Sequence, residues 1–132
     1  MRHIFYPILA LGAGIVLYLS WLPDPDIGFQ PYFPEWLGKW TNANVNLRTA
    51  VPFALLGFTG DLFFQRSITD LRRKRARLLI ALSLVVLTAE IGQVFLPKRH
   101  FDTGDILWGI SGAATGIFAA MALTRVLRSA SR

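Results

Sequence analysis

The stretch Ala89-Glu-Ile-Gly-Gln-Val-Phe-Leu-Pro-Lys-Arg-His-Phe-Asp-Thr-Gly-Asp-Ile-Leu-Trp-Gly-Ile-Ser111 joins two long apolar segments. Pro97 stops any helix that reaches it, because it lacks an N–H and clashes with the preceding turn. Asp102 or Thr103 is placed to cap the next helix, and Asp105 then meets the positive end of that helix's dipole. The stretch therefore predicts a helical hairpin with a short connection, Pro97–Gly104. It also gathers Glu90, Gln93, Arg99, Asp102 and Asp105 between two segments greasy enough to cross a bilayer. Ionisable groups at a membrane boundary cost free energy unless paired or wetted, which makes them candidates for function.

Working outward, four segments are long and apolar enough to span: roughly Ile4–Leu22, Leu47–Gln65, Leu78–Leu96 and Asp105–Leu127. A hydrocarbon core requires ~20 residues. At 132 residues the chain reads as one domain, 1–132, and 53% hydrophobic residues with a mean hydropathy of +0.43 exceed what a small soluble core can hide. The predicted fold is all-α, a four-transmembrane-helix bundle with an aromatic, proline-rich outer loop between helices 1 and 2. No small-residue cleavage site follows the first segment, so it is read as a retained span and not as a signal peptide. There is no cysteine, which removes disulfide and thiol chemistry. His3 and His100 are far apart, which argues against a histidine metal cluster.

The formal net charge is +6. Arg2, the connection carrying Arg66, Arg72, Arg73, Lys74, Arg75 and Arg77, and the terminal Arg125, Arg128 and Arg132 hold ten of the fourteen basic residues. Lys39, Arg48, Lys98 and Arg99 are the rest. The positive-inside rule then puts both termini and the basic connection in the cytoplasm, as expected of an inner-membrane protein. It leaves Pro23–Asn46 and Pro97–Gly104 outside. The basic run is an orientation signal that can also attract anionic lipid headgroups. No groove-reading motif accompanies it, so no nucleic-acid partner is assigned.

The first outer loop combines Pro23, Pro25, Pro31 and Pro34 with Phe29, Tyr32, Phe33, Trp36 and Trp40. Pro34-Glu-Trp-Leu-Gly-Lys-Trp can form a short interfacial turn in which Glu35 pairs with Lys39. Two roles remain open: an aromatic belt at headgroup depth, or a lid over an outward cleft. In the last span Gly109, Gly112 and Gly116, with Ala119 and Ala120, form a small-residue stripe containing a GxxxG match. It suits close packing against another helix of the same chain.

Each polar residue has a structural and a functional reading. Glu90 and Gln93 share a helical face. Glu90 either bonds to Arg48 or Arg99, or serves as an acid or base. Arg99 either bridges to Asp102 or Glu90, or grips an anion with its planar fork. Lys98 reads as an exposed snorkelling charge. Asn46 and Arg48, at the outer end of the second span, meet the same region if the bundle closes normally. Pro52, one turn further in, is placed to kink that span. Asp61 lies at the inner end, where Arg66 is its expected partner. Glu90, Asp102 and Asp105 could in principle hold Mg²⁺ or Ca²⁺, but no supporting pattern accompanies them, so no metal or cofactor is assigned.

Glu90-Ile-Gly-Gln93, then Arg99-His-Phe-Asp102-Thr-Gly-Asp105, then Gly109, Gly112 and Gly116 resemble the recurrent pattern of the VanZ-like family of small membrane proteins. Phe53-Ala-Leu-Leu-Gly57 resembles that family's aromatic-x-x-Leu-Gly element. Many members carry Lys or His ahead of that element, where this chain has Asn46, Arg48 and Thr49. The family takes its name from a protein linked to teicoplanin resistance, so the resemblance implies a role in the cell envelope and in antibiotic resistance. The expected ligand-binding set is Glu90, Gln93, Arg99, Asp102, Asp105, Arg48 and Asn46. Three functions are open. The first is binding of an anionic lipid-linked envelope component, such as a cell-wall precursor, or of an amphiphilic glycopeptide antibiotic. The second is an enzyme acting on a polyprenyl- or phospholipid-linked substrate, with Glu90 or Asp105 as base. The third is a non-catalytic assembly subunit whose charges lock helices together. Membrane lipids are the expected partners; the sequence fixes no oligomeric state.

Overall fold

The computed structural model describes residues 2–66 and 70–131, with side chains from Tyr6 onward apart from that of Phe29. Ser67, Ile68 and Thr69 of the basic connection, Arg132 and the side chain of Arg2 lie outside that description. Five α-helices follow in order: α1 (Arg2–Ser20), α2 (Glu35–Ala43), α3 (Val45–Phe64), α4 (Leu71–Gln93) and α5 (Thr103–Ala130). A single 3₁₀ turn, Ile27–Phe29, lies between α1 and α2. There is no strand among the described residues. Three helices, α3, α4 and α5, are long and apolar enough to cross a membrane; the apolar run of α1, Tyr6–Ser20, is shorter.

The boundaries follow from local chemistry. α4 begins at Leu71, well before the expected Leu78. Its first turns are Arg and Lys, which hide the span from a hydropathy reading but are good helix formers. Its ladder starts on the Asp70 carbonyl, to which the Lys74 N–H donates at 3.0 Å. At the other end α4 stops at Gln93, because Pro97 cannot continue it. Val94, Phe95 and Leu96 instead tighten into i→i+3 turns on Ile91, Gly92 and Gln93. The outer loop holds a full nine-residue helix, α2, in which Lys39 and Glu35 pair at 2.6 Å on the surface.

α3 and α5 share the most extensive helix interface. Gly57 lies against the Ala113 carbonyl, Gly112 against that of Ala50 and Gly116 against that of Ala54. Gly109, Gly112, Gly116 and Ala120 of the small-residue stripe are thus spent inside the chain, while Ala119, expected on the same stripe, is exposed. Absent side chains let two backbones touch, which suits Cα–H···O contacts between helices. α4 completes the core with Leu78, Leu82 and Val86 against Phe53, Leu56, Ala113 and Ile117. The opposite helix faces carry Leu55, Ile80, Leu84, Leu107 and Phe118, all exposed. Large apolar side chains facing outward along spanning helices are what lipid as solvent requires.

At the end of α3 nearest the basic connection Asp61 is fully buried. Arg75 of α4 forks onto its carboxylate, Nε to Oδ1 at 2.6 Å and an Nη to Oδ2 at 3.3 Å, and the Gln65 amide donates to Oδ2 at 2.5 Å. The partner is therefore Arg75, not the expected Arg66, which ends exposed past the last turn of α3.

Candidate functional site

The C-terminal ends of α1 and α4 and the N-terminal end of α3 surround a cavity of about 300 Å³. Its walls are apolar: Val16 and Leu19 from α1, Pro52 and Phe53 from α3, Val86 and Ala89 from α4. Ile27, Phe33, Leu37 and Trp40 roof it. The roof is held by a backbone contact: a Cβ added to Gly38 would stand 2.6 Å from the Gly28 Cα. The aromatic loop accordingly divides its residues. Phe33 and Trp40 reach the cavity, while Tyr32 and Trp36 are exposed.

Five of the seven expected residues, Arg48, Glu90, Gln93, Arg99 and Asp105, line this cavity. Asp102 contributes from its edge. Its side chain caps α5 by accepting from the Gly104 N–H at 2.7 Å, and its own N–H donates to Glu90 Oε2 at 3.1 Å. Asn46 is exposed and does not reach the cavity. Thr49 and Trp21 were not in the expected ligand-binding set. Thr49 donates to Asp105 Oδ1 at 3.1 Å, and its position beside Arg48 was the available clue. The Trp21 indole donates to the Ala89 carbonyl at 3.1 Å and lies against Gly92, fixing the end of α1 to α4 next to Glu90.

Glu90 is 2% exposed and fully engaged by the protein: Gln93 Nε2 donates to Oε1 at 3.0 Å and Asp102 N–H to Oε2. Neither expected arginine is its partner. The Arg99 guanidinium is spent on the end of α1. It donates to the carbonyls of Leu22 (3.2 Å), Asp24 (3.2 Å) and Leu19 (3.5 Å). The last carbonyls of a helix lack intrahelical donors, so a cation there is favourable. Among the described residues the Arg48 guanidinium makes a single hydrogen bond, to the Pro25 carbonyl at 3.2 Å. Among the described residues no carboxylate oxygen lies within 4.0 Å of Arg48 or Arg99. Burial, and then the positive charge of Arg48, lower the Arg99 pKa from its ordinary value, against the pull of Asp24, Glu90 and Asp105. The two guanidiniums are thus close enough to repel, and Arg48 keeps most of its five donors. At the mouth Lys98 bridges to Asp24 at 3.1 Å, on the surface. The Asp24 carboxyl is held below its usual range by the Asp26 N–H and by Lys98. His100 is exposed.

The arrangement can take an anion at Arg48, above an apolar chamber. Pro52 adds a second polar feature. It cannot donate the helical hydrogen bond to the Arg48 carbonyl, one turn back on the same wall. Among the described residues no three His, Cys, Asp or Glu side chains converge as metal ligands.

The Glu90 network makes a specific prediction. A glutamine at 90 can accept from the Asp102 N–H through its oxygen and donate to Gln93 through its amide, once the Gln93 amide flips. Glu90→Gln should therefore change stability by less than about 1 kcal/mol. Glu90→Leu strands two donors and should cost about 1–3 kcal/mol. Thermal unfolding of both variants in one detergent checks the difference; equal losses would mean that the charge, and not the hydrogen-bond pattern, holds the site.

The helices and the polar end have counterparts beyond this chain. No curated protein and no solved structure gives a significant match. The model of the VanZ/LLP1 family, however, matches residues 9–125, a span that takes in the cavity, its roof, the glycine seam and all seven candidate residues. By that match over nearly its whole length, this apolar helical chain belongs to the VanZ/LLP1 family.

Proposed function

We propose that the protein is a four-span inner-membrane protein with cytoplasmic termini, whose outward cleft binds an anionic lipid-linked component of the cell envelope. One observation carries this function: an apolar cavity ends at a half-buried arginine, Arg48, with donors to spare and no carboxylate bridged to it. Hydrogen bonds to a charged group are worth about 1.5–3 kcal/mol, so one anion seated there gives roughly tenfold selectivity or more. A volume of 300 Å³ is at the low end for ligand pockets. It suits a headgroup with the start of a chain, and it admits an amphiphilic glycopeptide only by its lipid tail. A part in antibiotic resistance would then come from handling envelope lipid.

Lipids retained by gently purified protein should be enriched in anionic species over the host membrane. Arg48→Gln should lower that enrichment about tenfold while the thermal melt stays near wild type. Unchanged enrichment in Arg48→Gln would remove the anion site.

Membrane orientation has its own test. With α1 as the fourth span, reporter fusions after Gly38 should read outside, and fusions after Thr69 and Arg132 should read cytoplasm. A periplasmic signal at Thr69 would reverse the orientation and place the cleft on the inner face.

One feature favours the enzymatic alternative. Asp105 accepts a single hydrogen bond, from Thr49, on Oδ1, so Oδ2 is free to act as a base at the cavity edge. Conversion of a bound lipid, lost in Asp105→Asn, separates catalysis from binding.

A further inference from the structure

The cavity has a roof and a floor but is not enclosed on every side: the roof is open at its edge, where Trp40 is 37% exposed, and a second opening lies lower in the wall. Above, the roof rests on the Gly28–Gly38 contact. Below, Phe53 and Val86, each 1% exposed, form the floor. Between α1 and α3 the wall is different. Ile15 and Val51 both line the cavity, yet they are 50% and 40% exposed. A side chain that lines a cavity and is also open to the outside marks its rim. Ile15 lies five residues before the end of α1 at Ser20, and Val51 six after the start of α3 at Val45. On a rise of ~1.5 Å per residue, both sit about 8–9 Å below those helix ends. That is the depth at which headgroups give way to acyl chains. The rim therefore faces lipid, not water.

We propose that the cavity is loaded sideways from the outer leaflet, through the rim between Ile15 and Val51, by a lipid ending in a phosphate monoester that Arg48 holds. The proposal rests on the anionic-lipid function above and adds the route and the headgroup. The headgroup follows from the charges that face the cavity. Glu90 has both oxygens occupied inside the protein, Asp105 is held by Thr49, and Arg99 is taken up by three carbonyls. Arg48 presents a planar fork with all but one of its donors unused, whereas Arg99 is held through its Nε and one Nη and keeps only the other Nη; a planar fork is the geometry that matches phosphate oxygens. Size follows from the volume. At ~30 Å³ per water, 300 Å³ holds about ten waters' worth of atoms. A phosphate and the first part of a chain fit. Phosphatidic acid and a polyprenyl phosphate share this chemistry.

The chain has no cysteine, so Ile15→Cys and Val51→Cys introduce the only two thiols. The double variant is reconstituted in phosphatidylcholine vesicles doped with phosphatidic acid in one arm and with polyprenyl phosphate in the other. Lipid retained after mild detergent extraction is measured by mass spectrometry. A bismaleimide bridging the rim before the doped lipid is added should cut its retention at least tenfold; bridging afterwards should trap it through extraction. The arm with the larger retention identifies the source. Equal retention for both orders of addition overturns the sideways route and leaves the anion cleft standing. Competition by inorganic phosphate at matched concentration overturns the lipid requirement. No excess of either phosphate lipid over phosphatidylcholine in the wild type overturns the cleft and the route together. Should the double variant fold poorly, Val51→Trp, a plug at the same rim, should slow uptake at least tenfold, and an unchanged rate with it counts against the route in the same way.

Discussion

Gly116→Leu is expected to leave little folded protein in detergent. A Cβ at 116 already collides with the Ala54 carbonyl and the Phe58 backbone nitrogen, neither of which is a flexible side-chain end that could swing aside. Relief requires α3 and α5 to separate, which also opens the contacts at Gly57 and Gly112. Overpacking a core costs about 1–3 kcal/mol when side chains can adjust. Here backbone must move, so the loss should exceed about 3 kcal/mol. Gly116→Ala places only the Cβ, but that Cβ is what meets backbone, so it too should lose more than about 3 kcal/mol, with Gly116→Leu losing more still. Gly14 is the internal control: a Cβ there meets nothing within 4 Å, and Gly14→Leu should melt within about 0.5 kcal/mol of wild type. Thermal unfolding of the three variants checks this; a wild-type melt for Gly116→Leu would mean that the stripe faces lipid.

The second large effect is at the end of α3 nearest the basic connection. Arg75→Leu removes the fork from a carboxylate that has no access to solvent, leaving Gln65 as its remaining side-chain donor. Breaking a buried pair from one side costs about 3–5 kcal/mol, because the other charge stays behind uncompensated. Asp61→Leu combined with Arg75→Leu should recover most of that loss, since replacing both charges by apolar groups is often neutral. The double-mutant cycle reads the coupling directly. Additive single losses would mean that the two side chains do not act as a pair.

What the sequence made legible was whatever repeats or punctuates. The apolar runs marked α3, α4 and α5. The glycine spacing marked the seam, Asp102 marked the start of α5, and the Glu35–Lys39 spacing marked the surface pair on α2. What stayed hidden depended on backbone atoms and on helix phase. Arg99 was expected to meet a carboxylate or an anion, but its acceptors are carbonyls at the end of α1 and in the turn after it, and every residue type carries a carbonyl. Arg75 and Arg66 look equivalent as neighbours of Asp61 until the phase of α4 turns one of them inward. The early start of α4 was concealed because charge lowers hydropathy without lowering helix propensity. Of the candidate site, the cluster of charges and a cleft under the aromatic loop were readable, but the apolar walls of the cavity were not. Those walls are ordinary apolar residues brought together only by the fold.

The fastening of α1 has a consequence for synthesis. Synthesis runs from the N-terminus, so α1 is made before the residues that will hold it. The indole of Trp21 docks on the carbonyl of Ala89, and the carbonyls of Leu19, Leu22 and Asp24 wait for Arg99. Until α4 and the turns after it have been made, α1 can form but not be seated, and until Ala113 follows, Gly57 of α3 stays uncovered. Helix formation and assembly are thereby separated in time, and the chamber comes into being only as the hairpin of α4 and α5 is completed.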